Sequence, residues 1–194
     1  MSVVTTSPRV VSLVVPNRPF VASDLDDVEW DGRRWEVIDG MLVVSPAPFA
    51  PHQWSIGQLH LLLYEACPPG MLVMLSPFDW KPPEGDMLEP DLLVMRDEDY
   101  QNGPLRNTPL LVIEVLSRSN PSLDTAVKRA RYEALGVPAY WIVDPIPPGS
   151  VLCLRLVEGR YDEVARCSGD ESYTADYPFP VRLTPSKLVR SFSR

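Results

Sequence analysis

The spacing of apolar and polar residues changes several times along this chain, and each change marks a new element. Arg34-Trp35-Glu36-Val37-Ile38 and Met41-Leu42-Val43-Val44 are two strand-like runs split by Asp39-Gly40. That dipeptide predicts a β-hairpin, because a type I′ turn needs positive φ at both central residues. In this register Ile38 faces Met41 and Glu36 faces Val43. Alternation then sets these four on one side, with Glu36 as its one charge. From Pro51 to Tyr64 the period lengthens. His52, Ile56, Leu59 and Leu63 recur at helical spacing, so a stripe that begins on a histidine predicts a helix ending before Pro68-Pro69-Gly70.

Strands are predicted over Met71–Leu75, Glu89–Met95 and Leu110–Leu116. Asn120-Pro121 and Gly136 then bracket a helix. Its core stripe is Leu123, Val127, Ala130 and Ala134, and a neighbouring stripe carries Asp124, Lys128 and Tyr132. Ala139–Asp144 predicts another strand. Val151–Val157 and Tyr161–Cys167, joined around Glu158-Gly159, predict a peripheral C-terminal hairpin. Near the start, Ser23 is expected to cap a short helix reaching Val28. Strand, strand, helix, strand in the middle of the chain implies a central mixed sheet with a right-handed crossover helix. The fold class expected is α/β (α+β), a mixed sheet flanked by helices. Residues 1–20 are expected to form an extension, and 21–190 a single domain.

Composition narrows the function classes. A chain of 194 residues is long enough to bury one sizeable core, and no run approaches eighteen apolar residues, so a membrane span is not expected. The N-terminus lacks the layout of a secretory signal. Cys67, Cys153 and Cys167 are odd in number and lack CxxC spacing, which fits reduced thiols in a cytoplasmic protein. The 22 prolines fall in clusters between apolar segments, as rigid loops do. A net charge of −8 runs against the basic footprint common among nucleic-acid binders. The cations are local instead, with Arg33-Arg34 in one place and Arg118, Lys128, Arg129 and Arg131 in another.

Glu114 is the residue that asks for chemistry. It sits inside Leu110–Leu116, a strand apolar on both sides, where an unpaired charge costs several kcal/mol. Asp91 opens the preceding strand. Two acids on neighbouring strands can converge on one Mg²⁺, which takes oxygen ligands. A metal there would polarise a phosphoryl oxygen and lower the pKa of a bound water, and Lys128 would add positive charge for the transition state. The alternative is structural: Asp91 caps a strand and Glu114 pairs with an arginine or backbone amides. Glycine-rich phosphate loops and a nucleophile elbow are absent from the sequence, and two histidines are few for a catalytic zinc site.

Several motifs in order add to this picture. They are Trp35-Glu36-Val37-Ile38-Asp39-Gly40, the helix opening with His52-Gln53, Pro90-Asp91 and Ile113-Glu114-Val115-Leu116-Ser117. Asp124, Lys128 and Tyr132 at spacing of four follow, then Gly136-Val137-Pro138-Ala139-Tyr140-Trp141-Ile142-Val143-Asp144-Pro145. From about Val21 to Leu188 the chain resembles the Uma-type endonucleases of the restriction-endonuclease-like, PD-(D/E)XK superfamily. The resemblance implies that Asp91, Glu114 and the carbonyl of Val115 ligate Mg²⁺ or Mn²⁺, with Glu36 as a third acid. The superfamily's Glu-x-Lys would put lysine at position 116, which here is Leu116, so the resemblance implies a migrated lysine, Lys128. His52 is then either a phosphate contact or a satisfied core histidine. Tyr132 either donates to a carboxylate or phosphate, or simply packs its ring. Asp124 is expected to support the helix start or Lys128, and Arg118 to contact phosphate or solvent. Glu36 has its own alternative, a buried pairing with Arg33, Arg34 or Lys128. DNA is the implied substrate and a homodimer the implied assembly, with Tyr173–Phe179 as an interface or as a cover for the domain's own sheet. The competing expectation is a nuclease-like fold that binds or assembles without turnover.

Overall fold

The structure, a computed structural model, describes residues 16–26, 28, 32–117 and 121–192, with 121–124 described by backbone alone. Continuous apolar runs build the middle of its sheet. Strands β4 (Leu92–Arg96), β5 (Leu111–Val115) and β6 (Ala139–Asp144) are buried almost throughout, as expected of strands covered on both faces. Adding β3 (Met71–Leu75), β7 (Ser150–Val157) and β8 (Arg160–Ser168) gives six strands in the order β3-β4-β5-β6-β7-β8. The β5–β6 pair is parallel and every other pair antiparallel. The parallel pair needs a crossover, and helix α2 (Pro121–Ala134) supplies it. The hairpin β7–β8 is not detached, for β7 pairs with β6 and carries the sheet outward.

Alternation along these strands sends side chains to two cores. On one face, Ile56, Leu59 and Leu63 of helix α1 (Ala50–Ala66) pack with Leu92, Val94, Ile113, Trp141 and Val143. On the other, Ile38, Trp80, Leu93, Val112, Tyr132 and Tyr140 meet. Glu114 shares the parity of Val112 and so faces the layer that contains α2.

The hairpin of β1 (Arg34–Ile38) and β2 (Met41–Ser45) has the expected register, with Glu36 opposite Val43 and Ile38 opposite Met41. Asp39 and Gly40 both have positive φ, 49° and 74°. A Cβ on Gly40 would lie 2.6 Å from Pro19 Cβ, so the turn needs glycine for space as well as for conformation. Of the four residues expected on one face, Glu36 and Ile38 are buried, whereas Met41 is 48% exposed at the hairpin tip.

Two local expectations are corrected, and Tyr173–Phe179 takes one of the two roles left open to it. Ser23 does not cap: the short turn Ala22–Leu25 is preceded by Val21, whose N–H donates to Asp24 Oδ2 at 2.9 Å. The strand predicted from Glu89 begins at Leu92, since Pro90 has no N–H to give a ladder. Tyr173–Phe179 covers the chain's own sheet. Its strand β9 (Tyr173–Ala175) pairs with β10 (Val181–Leu183), and Ala175 and Phe179 are buried in the α1-side core. A short helix α3, Pro185–Leu188, closes this face, and Ser55 of α1 donates to the Leu188 carbonyl at 2.9 Å. No described helix is long and apolar enough to cross a membrane. All three cysteines are free thiols.

Candidate active site

Five elements deliver polar side chains to one end of the sheet. Strand β1 contributes Arg34 and Glu36, two residues apart and therefore on the same side. The approach to β4 contributes Glu89 and Asp91, β5 contributes Glu114, the first turn of α1 contributes His52, and α2 contributes Lys128 and Tyr132 one turn apart.

Lys128 lies at the centre. Its Nζ is 2.8 Å from Glu114 Oε1 and 3.0 Å from Glu36 Oε1. The Tyr132 hydroxyl donates to the same Glu114 oxygen at 2.7 Å. The crossover helix thus delivers an ammonium to two acids that stand on different strands. Asp91 forms the other half of the site. Its Oδ2 accepts the Val115 N–H at 2.7 Å and lies 3.2 Å from His52 Nε2, while its Oδ1 accepts from Arg34 at 2.8 Å. Arg34 also stands 3.4 Å from Glu36 Oε2 and donates to the Glu89 carbonyl at 3.2 Å. The Glu89 N–H donates to Glu36 Oε1 at 3.0 Å.

Burial makes these charges act strongly on one another, because little water screens them. Burial alone would raise the Asp91 carboxyl, but the His52 hydrogen bond and the Arg34 charge outweigh it and hold the group at about 2. Burial raises Glu114 above the usual carboxylate range, with Lys128 opposing. For Lys128, burial disfavours the ammonium, yet Glu114 and Glu36 more than compensate, so its pKa rises and it stays protonated. The Tyr132 hydroxyl is driven well up by burial and stays a neutral donor. Glu89 is pushed up by burial, against the pull of Arg34, to about 7. Shifts of both signs within one cluster are a mark of functional sites.

Two cavities open onto this cluster. A groove of about 370 Å³ reaches Arg34, His52, Glu89 and Asp91 and is walled partly by Pro46, Pro48, Phe49 and Pro77. A chamber of about 30 Å³ lies against Glu36, Glu114, Val115 and Lys128, with Arg34 on its wall as well. Among the described residues no group of three or more histidine, cysteine, aspartate or glutamate side chains forms a ready metal cage. The reason is visible in the contacts: Lys128 and Arg34 stand between the acids. The donor set nevertheless suits a hard divalent cation. Three buried carboxylates, Glu36, Asp91 and Glu114, face two cations, and every acidic donor is oxygen. Glu36 is fully buried, and its Oε2 accepts no hydrogen bond. Such an atom is costly unless something else completes it.

Of the residues that sequence singles out, Asp91, Glu114, Lys128, Glu36, His52, Tyr132 and the backbone of Val115 meet here. Arg118 lies outside the described residues, as does the side chain of Asp124. Trp141 and Tyr140 are core residues, and His60 stacks on Tyr64 with ring centroids 5.9 Å apart. Sequence reasoning passed over Glu89 and gave Arg34 no place in the site beyond a possible pairing with Glu36. The one signal for either was an offset of two residues from Asp91 and from Glu36.

Similarity to known proteins agrees with this arrangement at the level of fold and family. No curated protein matches the chain. Among solved structures, a "putative nuclease belonging to DUF820" from Anabaena variabilis ATCC 29413 superposes with a TM-score of 0.65 at 15% identity, covering 82% of this chain and 90% of that one. At that identity the likeness speaks for the fold alone, a central mixed sheet flanked by helices. The family model Uma2, described as "Putative restriction endonuclease", matches residues 22–186. With most of its length inside that match, the chain belongs to the Uma2 family.

Proposed function

We propose that this protein is an endonuclease that hydrolyses phosphodiester bonds of DNA with the help of Mg²⁺ or Mn²⁺. The observation that carries this is Lys128: a buried ammonium, reaching from α2 to within 3.0 Å of two acids from different strands, beside an Asp91 opening onto a groove. Asp91, Glu114, Glu36 and the Val115 carbonyl would hold the metal. When bound, the metal supplies Lewis-acid polarisation of the phosphoryl oxygen and lowers the pKa of water. The chain's own residues do the rest. Lys128 places a fixed positive charge where negative charge grows on the phosphoryl oxygens as water adds to phosphorus and the bond to the leaving sugar oxygen breaks. Tyr132 and Lys128 together orient Glu114, and His52 with the Val115 N–H orients Asp91.

The same proposal takes residues 21–190 as one domain acting in the cytoplasm, with a homodimer as the simplest way to present two sites to the two strands of a duplex. The test is nicking of supercoiled plasmid by purified protein with Mg²⁺ or Mn²⁺, wild type against Glu114→Ala. Wild type is expected to nick and the variant to stay at background. Equal inactivity of both, with no heat of Mn²⁺ binding, would reject it.

One observation favours a second reading. The acids already pair with Arg34 and Lys128 and are nearly sealed, and the chain's net charge of −8 repels long nucleic acid. A binding or assembly module without turnover follows if metal binding fails while a stable complex with a partner forms.

A further inference from the structure

Arg34 lines both the 370 Å³ groove and the 30 Å³ chamber, so its side chain is part of the wall between them. The acids it holds have little other access to solvent: the side chains of Asp91 and Glu36 are 2% and 1% exposed, while that of Arg34 is 23% exposed. Lys128, the other cation, is 6% exposed and tied to two carboxylates deep in the cluster. Its position is closed and that of Arg34 is open on one side.

The fit of Arg34 is also incomplete. It gives Asp91 a 2.8 Å hydrogen bond but leaves Glu36 Oε2 without one, its Nε standing 3.4 Å away. A guanidinium carries one charge into a place where three carboxylates face two cations. A divalent cation offers two charges and can take oxygen ligands from several directions, so it competes with the single charge of the guanidinium for the same place beside Asp91 Oδ1 and Glu36 Oε2.

We propose that Arg34 is a resident counter-cation that a divalent metal displaces, its guanidinium swinging into the groove to meet a phosphodiester there. This rests on the metal-dependent function proposed above. The guanidinium is suited to both positions, because its planar fork pairs with carboxylate and phosphate alike. Emptying its place widens the passage from the groove, which Asp91 already lines, to the chamber and gives Glu36 and Glu114 a path to solvent. Metal and phosphodiester are then coupled: each lowers the cost of moving Arg34 for the other, and the coupling is reciprocal.

The test is calorimetric titration of the full chain with Mn²⁺, with and without a short oligothymidylate, for wild type, Arg34→Gln and Arg34→Lys. Arg34→Gln is expected to bind Mn²⁺ roughly tenfold tighter than wild type and to lose the tightening that oligothymidylate brings. Arg34→Lys keeps the charge but not the fork, so it should bind Mn²⁺ alone like wild type and gain less tightening from oligothymidylate. If Arg34→Gln fails to fold, Arg34→Lys decides, and a full wild-type tightening by oligothymidylate overturns the proposal. Equal or weaker Mn²⁺ binding by Arg34→Gln, with wild type binding well, overturns the displacement and leaves the metal-dependent function standing. Absence of Mn²⁺ binding in wild type and Arg34→Gln alike overturns both.

Discussion

Helix α2 presents two cations one turn apart, Lys128 and Arg131, and each meets a buried acid beside the β1–β2 hairpin. The Arg131 cluster is closed. Asp86 Oδ2 takes hydrogen bonds from Arg131 Nε and a terminal guanidinium nitrogen at 2.8 and 2.5 Å, and its Oδ1 takes the Asp39 N–H at 2.6 Å. Every oxygen of that carboxylate is satisfied, and neither residue lines the groove or the chamber. The Lys128 cluster is open: three acids crowd two cations, Glu36 Oε2 has no hydrogen bond, and two cavities adjoin. The difference teaches that a buried ion pair does not mark a site of chemistry. Unmet acceptor capacity beside a cavity does. The Asp86 pair ties the hairpin turn to α2.

Substitutions at the two cations or their acids should therefore separate function from stability. The largest effect is expected at Lys128. Lys128→Met should lower the nicking rate by about 10²–10³-fold, the scale of removing one fixed charge from a developing anion. The methionine keeps the stem packed but leaves Glu114 and Glu36 without their buried cation, so urea unfolding should show a loss of about 3 kcal/mol, and the rate is compared per molecule that circular dichroism shows folded. A variant with the wild-type rate would erase the distinction between the clusters. Next comes Asp86→Ala, which leaves a mostly buried guanidinium with only the exposed Asp39 carboxylate 3.4 Å away and frees a backbone N–H. Urea unfolding is expected to show a loss of about 3 kcal/mol, with Mn²⁺ affinity per folded molecule unchanged. Lost metal affinity without lost stability would reverse the roles assigned here.

The smallest effect sharpens the electrostatics. Asp91 is held at about 2 in the folded protein, against an ordinary 3.8, because the His52 hydrogen bond and Arg34 outweigh burial. A lowered carboxylate pKa contributes stability that is complete above 3.8 and disappears as pH falls toward 2. Across that window wild type should lose on the order of 2 kcal/mol more than Asp91→Asn in urea titrations. Parallel curves would mean that Asp91 is not held as an anion by its neighbours.

Much of the fold was legible because local chemistry permits few alternatives. Asp39-Gly40 tolerates the positive φ values of a type I′ turn, so the register that pairs Glu36 with Val43 followed. Pro121 and Gly136 bounded α2, and unbroken apolar runs announced strands covered on both faces. Part of the site was legible by the same means, since Asp91 directly precedes β4, Glu114 lies in β5, and those two strands pair. Ser23 misled, because a good capping residue does not decide where a short turn begins when Asp24 can reach back to Val21. Arg34 and Glu89 were harder to read. A half-exposed arginine and an acid before a proline look ordinary until the surrounding elements bury one side of each.

What the sequence by itself determined was the set of elements, their order and the acids placed among apolar residues, for these depend on periods and turns spanning a few positions. The folded chain alone brings Lys128, fourteen residues beyond Glu114, to within 2.8 Å of its carboxylate, and sets Arg34 against both the groove and the chamber. The physical reason is that a side chain's reach across a sheet depends on how the crossover helix and the hairpin pack. Packing sums contacts from every part of the chain, and no local spacing encodes that sum.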